Sequence, residues 1–167
     1  MLKKIKTLTA IFFAFHFCTF GQVFKNEIKF DKSILNAKLV NSSESMDFYE
    51  TTIKDVSSRP ADWPIFALTY YASMNYQSAQ GYIEHQKSYI TKENKTIKNE
   101  KISDTLINGF KYHILTMTAV EIVSKKEEQF VYGFVLKDNK AAFFLGSTTG
   151  DKKYVKKLQE TVFSIKV

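Results

Sequence analysis

The chain has 167 residues, 44% of them hydrophobic and 15% aromatic, with 24 Lys or Arg against 17 Asp or Glu for a formal charge of +7. Its single cysteine, Cys18, excludes an internal disulfide and any multi-cysteine metal site. Arg59 is the only arginine, so the guanidinium forks that read phosphates and guanine edges are missing, and no nucleic-acid partner is expected.

Lys3, Lys4 and Lys6 form a basic start, and residues 8–20 follow as an apolar run broken by Thr9, His16 and Thr19. A run of about 13 residues is too short to cross a bilayer core of about 30 Å as a helix, and suits a secretory signal peptide. Thr19 and Gly21 supply the small residues of a cut before Gln22. Residues 1–21 are therefore expected to be a cleaved signal and the protein to be exported, periplasmic or extracellular. A lipoprotein signal would need a small residue before Cys18 and a leucine three before; Phe17 and Phe15 stand there instead. Residues 22–167 then form one domain without cysteine, in which 21 basic residues face 17 acidic ones for a charge of +4. That length allows about 70% of the unfolded surface to be buried, and stability must come from the core alone.

In chain order, residues 22–45 give weak signals: Phe24, Ile28 and Phe30 suggest a strand or extended arm, and residues 34–40 a second strand or a helical turn. Residues 46–56 alternate as a strand, and 57–62 are a loop around Pro60. Residues 63–73 are apolar on both faces, as in a strand covered on two sides. Residues 78–92 carry Ala79, Tyr82, Ile83, Gln86, Tyr89 and Ile90 at helical spacing, with Ser78 as the expected N-cap. Strands are expected over 96–103, 110–123, 130–136 and 141–145, with tight turns at Asn108-Gly109 and at Lys137-Asp138-Asn139-Lys140. Residues 146–150 read as a loop. Tyr154, Val155, Leu158 and Val162 stripe a last helix through Thr161, and residues 163–167 should be extended. The fold class is α+β, an antiparallel sheet of about six strands covered by two helices in an α/β/α-like sandwich.

From Trp63 onward this order resembles the PsbP-like superfamily, which includes the extrinsic photosystem subunit and exported bacterial domains of the DcrB type. The residues that carry the resemblance are the strand 63–73, the helix 78–92, the turn Ile107-Asn108-Gly109, the strand end Phe143-Phe144-Leu145, and the closing Val162-Phe163-Ser164-Ile165. The resemblance covers about 105 residues and implies a domain usually without catalysis, used to bind a protein, lipid or other ligand at the envelope. It carries no residue-level motif, so no site residue is transferred and no photosynthetic role is implied.

Chemistry-bearing patterns are sparse. His85 and His113 lie 28 residues apart, with no metal-ligand spacing, so no metal or cofactor is expected. His113 falls mid-strand beside Leu115 and Met117; a buried, hydrogen-bonded ring is favoured there over a general base, and His85 reads as solvated. The loop Gly-Ser-Thr-Thr-Gly at 146–150 lacks the following Gly-Lys-Ser/Thr of a phosphate loop, though its N–H groups could face an anion. Asn41-Ser42-Ser43 and Asn94-Lys95-Thr96 match a glycosylation pattern, and Asp104-Thr105-Leu106 resembles a bacterial O-glycosylation acceptor. Trp63, Tyr70 and Tyr82 sit in an aromatic-rich stretch and join His113 as weak ligand-binding candidates, although an ordinary sheet–helix interface is the favoured reading of the aromatics. The expectation is a non-enzymatic binding or accessory domain of the envelope, with an unknown protein or apolar ligand as partner. Two alternatives stand beside it: a carrier of a lipid or other apolar ligand between helix 78–92 and the sheet, and an enzyme centred on His113.

Overall fold

A computed structural model describes residues 27–52, 62–93, 95–149 and 151–167. The signal peptide expected over 1–21, Phe24 of the expected arm, the strand end from Ile53, the loop 57–61 with Arg59 and Pro60, Asn94 and Gly150 lie outside the described residues.

Among the described residues, three strands, a helix, four strands and a second helix follow one another: β1 Ala37–Ser42, β2 Met46–Thr51, β3 Ile65–Ala72, α1 Tyr76–Lys92, β4 Lys95–Ile107, β5 Phe110–Glu121, β6 Glu127–Lys137, β7 Lys140–Thr148 and α2 Lys153–Ser164. They build one antiparallel sheet in the order β1-β2-β3-β7-β6-β5-β4. The α+β class holds, with one strand more than the six expected. The extra one is β1, which overlaps the 34–40 segment read as a strand or a helical turn; its side chains are nearly all exposed, so no clear alternation decides between the two.

The central strands are apolar on both faces because each face carries a helix. On one face Phe66, Leu68, Ile114, Val131 and Phe144 pack under Leu158 and Val162 of α2. On the other, Leu115, Met117, Phe134 and Phe143 pack under Ala79, Ile83 and Ile90 of α1. Both tight turns form as expected: Asn108 and Gly109 take φ of 51° and 79°, and Asp138 and Asn139 take 49° and 62°. Positive φ at both central positions gives the twist that a two-residue hairpin needs.

Four element boundaries are corrected. The cap of α1 is Asn75, whose side chain accepts from the Ser78 N–H at 2.8 Å, so the helix starts at Tyr76 and Ser78 lies inside it. The edge strand β4 runs on to Ile107, because pairing with β5 continues to Ile107↔Phe110. Gly146, Ser147 and Thr148 are not loop but the end of β7, paired with β3 and β6, so their backbone is committed to the sheet and not to an anion. Phe163 and Ser164 belong to α2, and only the last three residues are extended. There Lys166 bridges to Lys29, and the Tyr112 hydroxyl donates to the Ile165 carbonyl at 3.0 Å.

Candidate functional site

His113 and Asp104 stand opposite each other on β5 and β4, so the sheet register alone brings them together. The ring Nδ1 lies 2.8 Å from Asp104 Oδ1, and the same oxygen accepts from the Tyr76 hydroxyl at the start of α1. An ionised carboxylate only accepts, so Nδ1 carries the proton of that bond. The ring stacks on Phe134 with centroids 5.0 Å apart, and only 4% of the residue is exposed. Burial raises the Asp104 pKa, but the Tyr76 hydroxyl, the His113 ring and the charge of Lys111 together outweigh it and hold the carboxyl below its ordinary range. Burial and the Asp104 bond push the Tyr76 phenol up to about 12. The sequence places only Leu115 and Met117 beside His113. The structure adds a charge from the neighbouring strand.

Asp104→Asn should lower stability at neutral pH by less than about 1 kcal/mol, because half of that side chain is in water. The folded pKa is depressed, so the contribution is complete above the unfolded value of about 4 and lost as pH falls through the lower folded value. Denaturant curves of the two proteins should therefore converge in acid. A gap that persists at about pH 2 would assign the loss to packing.

On the α2 face, at the β2–β3 end, a second arrangement gathers around Asp47. The Tyr49 and Tyr70 hydroxyls both donate to Asp47 Oδ2, at 3.3 and 3.1 Å. Burial, followed by the charge of Asp47, pushes both phenols far up, so they remain donors at any physiological pH. The segment 28–32 crosses this face and is held at its start and middle: Lys29 bridges to Lys166, and the Asp31 N–H donates to Ser164 Oγ at 3.0 Å. Phe30 meets Tyr49 and Phe66 edge-on at 5.1 and 5.8 Å. A cleft of about 480 Å³ remains between segment and sheet, lined by Ile28, Lys29, Phe30, Lys32, Asp47 and the two tyrosines. The Lys32 ammonium lies over both the Phe30 and Tyr49 rings, at 5.8 and 5.6 Å. The cleft thus has an aromatic wall, cations at its mouth and a buried carboxylate in its floor.

The four sequence candidates do not converge. Tyr70 lines the Asp47 cleft, whereas Tyr82 and His113 lie on the opposite face. There a layer of rings connects them: Tyr82 sits 4.2 Å from Phe143, Phe143 meets Phe134, and Phe134 stacks on His113. Trp63 is half-buried just before β3. The space between α1 and the sheet, where the carrier alternative would put its pocket, is taken by these rings and by fully buried Ala79 and Ile83. His85 is exposed but not merely solvated, since its Nε2 lies 3.0 Å from the Tyr89 hydroxyl. Among the described residues no three His, Cys, Asp or Glu side chains come together for a metal ion, and no helix is long and apolar enough to cross a membrane. Sequence reasoning missed Asp47, Tyr49, Lys29, Phe30 and Lys32. Asp47 was the one available signal, an acid between Met46 and Phe48 near the start of a largely apolar strand.

No family model and no curated protein matches the sequence. Solved structures do. The chain is similar to the Saccharomyces cerevisiae Ran-binding protein Mog1p, with a TM-score of 0.50 at 8% identity, over 87% of this chain and 93% of that one. It also matches a mutant of protein Mog1 with a TM-score of 0.47 at 11% identity, over 87% and 93% of the two chains. A Pseudomonas aeruginosa protein of unknown function, PA94, gives 0.44 at 18% identity, over 75% and 94%. Membership of the PsbP-like superfamily, expected from the order of elements, is corrected: no family model supports it, and the likeness found is to Mog1p. At 8% identity that likeness is one of fold.

Proposed function

We propose that the chain is an exported, non-enzymatic binding domain of the cell envelope, and that it takes a protein partner in the cleft beside Phe30. The observation that carries this reading is the make-up of the cleft, with Phe30 and Tyr49 as its wall and Lys29 and Lys32 at its mouth. An acidic segment presenting an aromatic or apolar side chain fits it. The side chain lies against the rings and its carboxylates meet the lysines, a combination of aromatic burial and charge complementarity common in interfaces. Mog1p, which shares the fold, is named as Ran-binding, and a protein is the class of partner carried over here. A binding role is preferred to catalysis because the His113 ring is packed against Phe134 and 4% exposed, which leaves a substrate little to touch.

Export is tested by sequencing the N-terminus of the protein from the envelope fraction, which should begin at Gln22. An intact Met1 there would overturn it. For the cleft, a photo-crosslinking amino acid at position 32 should yield one defined adduct in envelope preparations, and the same probe at exposed Lys98 should not. Lys29→Glu in the protein carrying the probe at position 32, by reversing a charge at the mouth, should weaken the adduct several-fold and leave the thermal midpoint within a few degrees. The same adduct from both positions, or none from position 32, would defeat the assignment.

A further inference from the structure

On the other flank of α2, where its first two turns lie over the β4–β5–β6 end of the sheet, a cleft of about 430 Å³ opens. We propose that this cleft binds a small ligand through an oxyanion group, a phosphate or a carboxylate.

The helix wall carries Lys152, Lys156 and Gln159, spaced four and three residues apart and so on one face. Lys152 forms no ion pair among the described residues. Lys156 stands 3.8 Å from Glu160 on a side chain that is 81% exposed, an arrangement weak enough to yield to a stronger anion. The nearest acid in sequence, Asp151, is turned to Lys153 at 3.7 Å. No carboxylate lines the cleft.

The sheet wall is shaped by a β-bulge. Lys98 pairs with Thr118 and Lys101 with Thr116, so Asn99 and Glu100 together oppose Met117. A bulge re-aims side chains, and this one separates two neighbours. Glu100 goes to the α1 side, where its carboxylate meets Lys87 at 2.7 Å. Asn99, in the left-handed region at φ 53°, lines the cleft. The backbone irregularity thus takes an acid away from the cleft and puts an amide in its place. Beside it Thr118, 4% exposed, donates to Gln129 Oε1 at 2.9 Å. That bond occupies the acceptor end of the Gln129 amide and leaves its NH₂ as a donor.

Two ammonium groups thus face amide donors across a space of the size that small ligands occupy, with no opposing acid in the lining. No aromatic residue lines the cleft, so a nucleobase or sugar ring has no platform to stack on, and recognition falls on the anionic group. Lysines act as point charges and do not impose the planar fork of arginine, which is why phosphate and carboxylate both fit.

The test is a titration of the isotopically labelled full chain with inorganic phosphate and, separately, with citrate, at constant ionic strength set by sodium chloride. The side-chain amides of Asn99, Gln129 and Gln159 are followed together with the amides of Thr116 and Thr118. Saturating shifts confined to this set are expected for at least one probe. Phosphate alone would mark a phosphorylated ligand, and citrate alone a carboxylated one. Lys152→Gln with Lys156→Gln should weaken binding by about tenfold or more, and Gln159→Glu should do the same by placing a carboxylate in the wall. Lys38→Gln, on β1, should leave it unchanged. Shifts that never saturate, that chloride reproduces, or that survive Gln159→Glu would overturn the proposal. The site is separate from the cleft beside Phe30, so either result stands whatever the crosslinking shows.

Discussion

Replacing Leu158 with alanine should lower the unfolding free energy by about 2–5 kcal/mol and the thermal midpoint by on the order of 10 °C. The side chain is fully buried on the one face of α2 that meets the sheet, together with Tyr154 and Val162. Beneath it the rings of Tyr49, Phe66 and Phe144 stack in sequence at 5.0 and 4.9 Å, an ordered layer that cannot flow into the space the leucine leaves. Gly146 shows how tight the contact is. A Cβ there would come within 2.7 Å of the Phe144 ring and 3.0 Å of Leu158 Cδ2. Gly146→Ala should therefore destabilise the native protein and do less harm when residue 158 is already alanine. A double-mutant cycle should return a coupling of about 1 kcal/mol in that direction. Additive losses would mean that α2 does not rest on β7 as described, and an unchanged midpoint for Leu158→Ala would remove the packed helix altogether.

Much of this architecture was legible because its signals are local. The stripes of α1 and α2, the double-sided apolar strands and the Asn-Gly turn each depend on residues within a few positions of one another. Where the reading failed, a longer-range partner made the decision. The sequence ends β7 at Leu145 because Gly146 and Ser147 have low strand propensity, yet their pairing with β3 and β6 carries the strand on to Thr148. Ser78 looked like a cap until Asn75, three residues earlier, took its N–H. The sites were harder still. Asp104 reaches His113 only through the β4–β5 register, and Asp47 reaches Tyr70 across 23 residues of chain. The Asn99 bulge leaves no compositional trace, since Asn-Glu-Lys in a polar edge strand reads as plain surface.

Two glycine-to-alanine changes should move stability in opposite directions, and the reason lies in what each missing Cβ would meet. In an exposed turn of α1, Gly81 has nothing within 4 Å of an added Cβ, so Gly81→Ala should stabilise by about 0.5–1 kcal/mol through helix propensity and the reduced entropy of the unfolded chain. Gly133 sits inside β6 between Ile114 of β5 and Phe144 of β7. There an added Cβ would stand 2.6 Å from the His113 carbonyl oxygen and 3.5 Å from the Ile114 Cα. Both are backbone atoms of a paired strand, so relief requires moving β5 rather than rotating a side chain. The same entropic gain of under about 1 kcal/mol applies, but overpacking against a fixed ladder outweighs it, and the net loss should be about 3 kcal/mol. The displaced atom belongs to His113, so the damage should also reach its ring. The Nδ1–H resonance held by Asp104 should broaden or shift in Gly133→Ala and stay unchanged in Gly81→Ala. Denaturant midpoints give the sign of each effect, and proton spectra of the histidine ring give the mechanism. A Gly133→Ala protein as stable as the wild type would mean that β5 and β6 approach less closely than the Gly133–His113 contact requires.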